Sequence, residues 1–178
     1  MFRYCIDLKV RYPLSLHEIL ITFHTSDNFT PDADSFLTFA SSIMTLDLCD
    51  KVAIDTNNQS ECKLWNELKY RLTASRFYEM AHCGVSSGSF VNQVIGYTKI
   101  MDTKSMRRGR NLEKKVIKVL EEKNKLSLGS CGLLLNPEFP VIEAFPNAVA
   151  HFIMEIKYPM TLKTERAYIT SEMNEIRK

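Results

Sequence analysis

Apolar and polar residues alternate at the start of the chain. Over residues 2–12, aromatic and aliphatic side chains occupy every second position, and this period of two predicts a strand that ends at Pro13. Ser15 and Glu18 are spaced as a capping box, which predicts a short helix after Ser15. A second helix is predicted to open at Thr30 and Pro31. Its apolar stripe is formed by Phe36, Leu37, Phe39, Ala40, Ile43 and Met44. Residues 1–55 are therefore predicted to form an N-terminal extension of a strand and helices, a structural or docking appendage without chemistry of its own.

The rest of the chain, residues 56–178, mixes helical spacing with short apolar runs. The run over 57–72 has Leu64, Trp65, Leu68 and Leu72 at helical spacing. A helix from about residue 73 is predicted to bury Phe77 and Met80, before a loop over 84–89. The later predictions are a helix over 111–123, strands over 131–135 and 152–157, and a helix over 164–176. Helices followed by strands that end near a carboxylate are typical of an α/β or α+β-like fold.

Composition fits a single folded domain of ordinary size. The chain has 178 residues, of which 45% are hydrophobic and 25% are charged. Its apolar runs fall short of the roughly 18 residues that span a bilayer, and charges occupy the stretch where a secretory signal needs apolar residues. Five scattered cysteines without CxxC spacing argue against a disulfide framework and a zinc ribbon. We therefore expect an intracellular protein, nuclear or cytoplasmic, with no membrane partner.

Charge is distributed unevenly, although the net charge is only +2. Between residues 104 and 118, Glu113 is the only acidic residue. The same stretch carries seven basic residues, namely Lys104, Arg107, Arg108, Arg110, Lys114, Lys115 and Lys118. A cluster this dense can follow a phosphate backbone electrostatically, and a solvated helix face is the alternative explanation.

Three short motifs carry candidate chemistry. Arg71 and Ser75 place a guanidinium and a hydroxyl at a predicted helix start, where they can donate hydrogen bonds to a phosphate. Glu113 is placed by the predicted helix in its first turn, where the helix dipole alone favours a carboxylate. Glu155 and Lys157 lie two positions apart on a predicted strand and so face the same side. A carboxylate beside an ammonium is how metal-dependent nucleases hold Mg²⁺ and a water together, but such a pair is also common as a surface ion pair.

Four segments in series resemble one known family. RLTAS, a GxxxE segment, GLLLNPEFPVIEAFPNA and EIKYP follow one another in this order between residues 57 and 160. This series resembles the YqaJ viral-recombinase family, relatives of lambda-phage exonuclease among the PD-(D/E)xK nucleases. The resemblance implies a restriction-endonuclease-like core, a small mixed sheet flanked by helices, over residues 56–178. It also implies DNA as the partner and Mg²⁺ or Mn²⁺ as the cofactor.

The resemblance implies a role for each motif residue. Arg71 and Ser75 would contact the 5′-phosphate end of DNA. Arg107, Arg108 and Arg110 are candidate DNA contacts because of the basic run, independently of the resemblance. The metal ligands would be Glu113, Asn147 and Glu155, and Lys157 would orient the attacking water. The three metal ligands and Lys157 are also the candidate catalytic residues.

The sequence departs from the family pattern at several positions. Asn147 stands where the family has a metal-ligating aspartate, and an amide lacks the negative charge that Mg²⁺ prefers. Phe145 and Ala148 replace small family residues, and Tyr158 stands where many relatives have cysteine. The chain also ends before the family's C-terminal helix. We therefore expect weak metal binding or none.

Three functions remain open from the sequence. The first is a degenerate nuclease domain that binds nucleic acid or a protein partner. The second is an active Mg²⁺- or Mn²⁺-dependent DNA exonuclease seen in an Asp-to-Asn inactive form. The third is a structural interaction module that recruits a partner through the edge of its N-terminal strand. A protein partner or a homo-oligomer is expected separately, without an interface that the sequence identifies.

Overall fold

The computed structural model describes residues 12–27, 29–94, 96, 103–159 and 161. The helices in these residues are α1 (Leu16–His24), α2 (Ala33–Ile43), α3 (Leu46–Asp55), α4 (Lys63–Leu68), α5 (Phe77–Ala81), α6 (Ser89–Val94) and α7 (Lys104–Asn124). The strands are β1 (Leu134–Leu135), β2 (Glu143–Ala144), β3 (Ala148–Val149) and β4 (Ile153–Met154). Short 3₁₀ turns occupy Gln59–Glu61 and Ala74–Arg76. Mixed helices and small antiparallel sheets confirm an α+β character in general terms. The predicted N-terminal strand over 2–12 and the C-terminal helix over 164–176 lie almost entirely outside the described residues.

The chain divides into two compact units. Unit 1 comprises residues 1–99 and 130–146, and unit 2 comprises residues 100–129 and 147–178. The predicted boundary between residues 55 and 56 falls inside unit 1. In unit 1, β1 pairs with β2 so that Leu134 lies opposite Ala144. In unit 2, β3 pairs with β4 so that Ala148 lies opposite Met154.

Side-chain caps set the starts of the first three helices. Ser15, Asp32 and Thr45 each accept a hydrogen bond from a backbone N–H in the first turn, at 3.2, 2.8 and 3.3 Å respectively. Each bond satisfies a donor that has no partner within its own helix. The helix predicted after Ser15 is confirmed, and so is the helix predicted from Thr30 and Pro31, which begins at Ala33.

The core of unit 1 draws on both parts of the predicted division. Its buried residues are Leu14, Ile19, Ala40, Met44, Cys49, Val52, Leu68 and Leu133. Helices α1 to α3 therefore share their core with α4 and with the residue that precedes β1. Thr56 joins the same two regions, because its buried hydroxyl donates to Val52 O at 2.6 Å and accepts from Leu133 N at 2.8 Å. Residues 12–55 thus contribute to the core of unit 1.

Two predictions about the middle of unit 1 are wrong. Leu72 is not helical, because α4 ends at Leu68 and Leu72 forms a parallel bridge with Ile142. Phe77 and Met80 are 37% and 38% exposed, so they are not buried. Helix α5 has only five residues, and among the described elements it contacts mainly the 3₁₀ turn before it. A helix of five residues is too short to form an apolar face that a neighbouring element could cover.

Unit 2 is built around the long helix α7. Thr103 caps it by accepting from Met106 N at 3.2 Å, and the helix begins at Lys104, seven residues before the predicted start. Lys125 ends it in the left-handed conformation with φ of 52°. The β3–β4 hairpin is extended by a bridge between Gly129 and Val149. The strand predicted over 152–157 is shorter in the structure, since β4 covers only Ile153–Met154.

Candidate functional site

Asn147 ties the two arms of the β3–β4 hairpin together. Its backbone N–H donates to Met154 O at 3.0 Å, and its side-chain Oδ1 accepts from Ile156 N at 2.6 Å. The amide oxygen therefore lies against the backbone between Glu155 and Lys157. This bond needs only an acceptor oxygen, so an aspartate at position 147 could accept it equally well.

Glu155 and Lys157 form an ion pair at the surface. Lys157 Nζ lies 2.5 Å from Glu155 Oε1, and the side chains are 53% and 50% exposed for Glu155 and Lys157 respectively. Exposed pairs of this kind contribute about 0–1 kcal/mol to stability. The ammonium neutralises the carboxylate that the resemblance assigns to metal binding.

Glu113 lies in the interior of α7, so its predicted place in a first helical turn is wrong. Lys104 begins the helix, nine positions earlier. The helix dipole acts within the first turn and therefore does not explain a carboxylate at this position. Glu113 is half-buried, and it lies on the side of α7 that packs within unit 2.

Tyr158 connects α7 with the segment that follows β4. A Cβ placed on Gly109 would lie 3.7 Å from the Tyr158 ring, so the ring packs against the helix at this glycine. Burial, with a smaller contribution from the charge of Glu113, raises the pKa of Tyr158 to about 12. Its buried hydroxyl has no hydrogen-bond partner among the described residues. Arg108 Nη1 adds hydrogen bonds to Pro159 O at 3.2 Å and to Tyr158 O at 3.5 Å.

Three of the four candidate catalytic residues, Asn147, Glu155 and Lys157, thus lie in or beside the β3–β4 hairpin of unit 2. Asn147 Oδ1 accepts from Ile156 N, between Glu155 and Lys157, whereas Glu113 is linked to this segment only through its charge, which contributes to the raised pKa of Tyr158. Sequence reasoning assigned no function to Tyr158. The signal that could have found it is its position beside Lys157 together with Gly109, which leaves room on the helix for an aromatic ring.

The basic residues of α7 face solvent. Lys104, Arg107, Arg108, Arg110, Lys114, Lys115 and Lys118 are all exposed. They belong to one continuous helix, because α7 begins at Lys104 rather than at the predicted residue 111. The candidate DNA contacts Arg107, Arg108 and Arg110 thus lie within a larger surface.

Arg71 belongs to unit 1 and is buried, with only 2% of its surface exposed. Its guanidinium donates to three backbone carbonyls: Nε to Pro140 O at 2.8 Å, Nη1 to Leu68 O at 3.3 Å and Nη2 to Leu14 O at 2.6 Å. Ser75 is exposed instead, and its hydroxyl lies 3.0 Å from that of Thr73. The two side chains do not form the phosphate cradle that the sequence suggested.

Glu143 is the buried countercharge in this region. It is 3% exposed, and its Oε2 has no hydrogen-bond partner among the described residues. Burial raises the pKa of Glu143 to about 7, against the opposing charges of Arg71 and Lys69. Burial also lowers the pKa of Arg71 to about 10, while the charge of Glu143 opposes that shift. Arg71 consequently remains a cation at neutral pH. Its hydrogen bonds connect the start of α1, the end of α4 and the segment before β2.

The candidate metal ligands fit a divalent cation poorly as they are arranged. Mg²⁺ and Mn²⁺ favour carboxylate oxygens, and the set offers two carboxylates and one neutral amide. Lys157 already pairs with Glu155, and Ile156 N already bonds the amide oxygen of Asn147. Within the described part of the chain, no cluster of three or more His, Cys, Asp or Glu side chains could hold a metal ion. The predicted set contains only two such residues, Glu113 and Glu155.

Comparison of the chain with known proteins gives no match. No protein-family model, curated protein or solved structure matches it. Among the described residues, no helix is both long and apolar enough to cross a membrane.

Proposed function

We propose that the chain is a degenerate nuclease domain of the lambda-exonuclease and YqaJ type, which binds DNA without hydrolysing it. The proposed ancestry of the chain rests on the motif series, and its proposed loss of hydrolysis rests on Asn147. The observation that carries it is the Glu155–Lys157 ion pair, which lies beside the uncharged side chain of Asn147. In this proposal α7 and the β3–β4 hairpin belong to the PD-(D/E)xK core.

Charge explains why this arrangement would retain binding and lose hydrolysis. A nuclease metal ion stabilises charge that develops on the scissile phosphate, and carboxylates hold that ion in place. With a neutral amide at position 147 and an ammonium against Glu155, little net negative charge remains to attract a cation. DNA itself is attracted by the exposed basic residues of α7, which do not depend on the metal.

A second candidate is an active exonuclease whose position 147 carries aspartate. The geometry of the Asn147 bond favours keeping this candidate, because a carboxylate could accept from Ile156 N without any movement. Both candidates share one fold and differ in a single charge.

Cleavage of an end-labelled, 5′-phosphorylated duplex in Mg²⁺ and in Mn²⁺ separates the candidates. We compare the chain as it stands, Asn147→Asp, and Asn147→Asp combined with Lys157→Ala. The matched control is Asn57→Asp, which adds the same charge at an exposed position of unit 1. We expect that the unaltered chain binds the duplex without cutting it.

Each result has a distinct meaning. Cleavage by Asn147→Asp that Lys157→Ala abolishes, with Asn57→Asp inert, shows a nuclease scaffold switched off at one residue. If all four proteins bind the duplex and none cuts it, restoring a carboxylate at position 147 is not sufficient for cleavage, and other changes have also removed the activity. Cleavage by the unaltered chain contradicts the proposal, and so does failure of every protein to bind DNA.

A further inference from the structure

Helix α7 has two chemically distinct faces. At about 100° per residue, its seven basic residues fall within an arc of about 160°. The run from Lys104 to Lys118 extends ~21 Å along the helix axis, a length that matches about six phosphates of one DNA strand. The same helical geometry places Glu113 on the opposite side, close to the face that carries Gly109. The basic surface is therefore a continuous stripe that excludes the candidate metal ligand.

The opposite face of α7 is occupied by the rest of unit 2. Tyr158 packs at Gly109, and Glu113 is close enough to affect the pKa of Tyr158. Leu112 and Val116 are half-buried on the same side. The inward face thus anchors the helix. The basic stripe is directed away from the contact between Tyr158 and Gly109, and of its residues Arg108 also donates to Pro159 O at 3.2 Å.

The basic stripe is unfavourable for the helix itself. Like charges four residues apart, such as Lys104 with Arg108 and Arg110 with Lys114, destabilise a helix by roughly 0.2–0.5 kcal/mol per pair. Cations in the first turns also oppose the helix dipole. On a helix face that only contacts solvent, acidic residues usually alternate with basic ones. On this side of α7, the first acidic residues are Glu121 and Glu122, beyond the end of the stripe. Such a costly arrangement favours an anionic ligand as its occupant.

Resting on the proposed function, we infer that the basic stripe of α7 binds the phosphate backbone of double-stranded DNA, on the side of the helix away from Glu113. The contact is to phosphates along the duplex and is independent of base sequence and of a 5′-phosphate. The burial of Arg71 supports this, because its guanidinium is already directed at three carbonyls. Anionic membrane is the less favoured partner, since the exposed apolar residues of α7, Met106 and Val119, lie at opposite edges of the stripe and form no apolar face for insertion.

The test measures fluorescence anisotropy of a labelled duplex whose ends are closed by hairpin loops, across 50–200 mM NaCl. The stripe variant combines Lys114→Gln, Lys115→Gln and Lys118→Gln. The control variant removes the same charge through Lys51→Gln, Lys63→Gln and Lys123→Gln, all exposed and away from the stripe. We expect the stripe variant to lose about tenfold or more in affinity, and up to about 2.7 in salt slope, while the control stays close to the unaltered chain.

The outcomes separate this inference from the proposed function. If the unaltered chain binds no DNA at all, the proposed function fails and the inference fails with it. If the chain binds but stripe and control variants lose affinity equally, only the inference is overturned. Binding that requires an open, 5′-phosphorylated end also overturns it. So does binding to phosphatidylserine–phosphatidylcholine vesicles in the absence of duplex binding. Circular dichroism of both variants confirms that α7 is still formed.

Discussion

Replacing Arg71 by methionine tests whether this residue holds the fold together or serves a ligand. Methionine keeps much of the aliphatic length and removes the guanidinium. Three backbone carbonyls then lose their donor, those of Leu14, Leu68 and Pro140. The carboxyl group of Glu143 also loses its main positive neighbour.

The structure sets the size of the expected effect. The bonds to Leu14 O at 2.6 Å and Pro140 O at 2.8 Å are short, whereas the bond to Leu68 O at 3.3 Å is weaker. Leaving a buried acceptor without its partner costs roughly 1–3 kcal/mol, and removing one member of a buried charge pair costs about 3–5 kcal/mol. Protonation of Glu143 relieves part of the second cost. We therefore expect Arg71→Met to lower the free energy of unfolding by about 3–5 kcal/mol.

Urea denaturation followed by tryptophan fluorescence measures this loss. Trp65 is the only tryptophan of the chain, and it lies on α4 in the same unit as Arg71. The control is Lys51→Met, which removes an exposed cation from α3 and should change the free energy of unfolding by no more than about 0.5 kcal/mol. An exposed arginine that served only to grip a phosphate would behave like this control.

A loss below about 1 kcal/mol for Arg71→Met, with an unchanged dependence on urea concentration, would refute the structural role. A second comparison checks the charge pair directly. Adding Glu143→Gln to Arg71→Met should cost less than the sum of the single substitutions, because the buried carboxylate is then no longer left unpaired. Strict additivity would show that the two groups are not coupled.

Two further predictions concern single positions of unit 1. The pKa of Glu143 rises from its ordinary 4.5 to about 7 in the folded chain, so the folded state holds the proton through that range and the free energy of unfolding falls as pH increases across it. Urea midpoints at pH 5 and pH 8 should therefore differ less for Glu143→Gln than for the unaltered chain, and an equal difference would contradict this reasoning. A Cβ on Gly132 would collide with Ala53 O and with Thr56, so Gly132→Ala should cost about 1–3 kcal/mol or more in thermal or urea unfolding. Gly84→Ala meets no atom within 4 Å and should be nearly neutral, and similar losses for both glycines would rule out the collision as the cause.

The helices of the N-terminal region were predictable because their signals are local. Ser15 with Glu18 specifies a cap within one turn, and the stripe ending at Met44 specifies the buried side of α2. Both depend on residues three or four positions apart, which a helix brings together without help from the rest of the chain. α3 was not predicted, although Thr45 caps it in the same way.

The wrong predictions concern helix starts and side-chain burial, which depend on neighbouring elements. The start of α7 was placed too late because Gly109 interrupts the pattern, and Thr103 caps the helix well before it. Glu113 was consequently assigned to a first turn. Phe77 and Met80 were predicted as buried from their apolar character, but burial requires a covering surface that α5 does not receive from the described elements.

The candidate site shows the same division between local and tertiary information. By itself the sequence identified the candidate residues: the Glu155 and Lys157 spacing, the uncharged amide at Asn147 and the basic run of α7. Only the tertiary structure decided that Asn147 Oδ1 accepts from Ile156 N and that Arg71 is buried among three carbonyls. The physical reason is that the partners of Arg71 lie 57 and 69 residues away at Leu14 and Pro140. No local pattern shows whether an arginine will meet solvent, a phosphate or the backbone of its own chain.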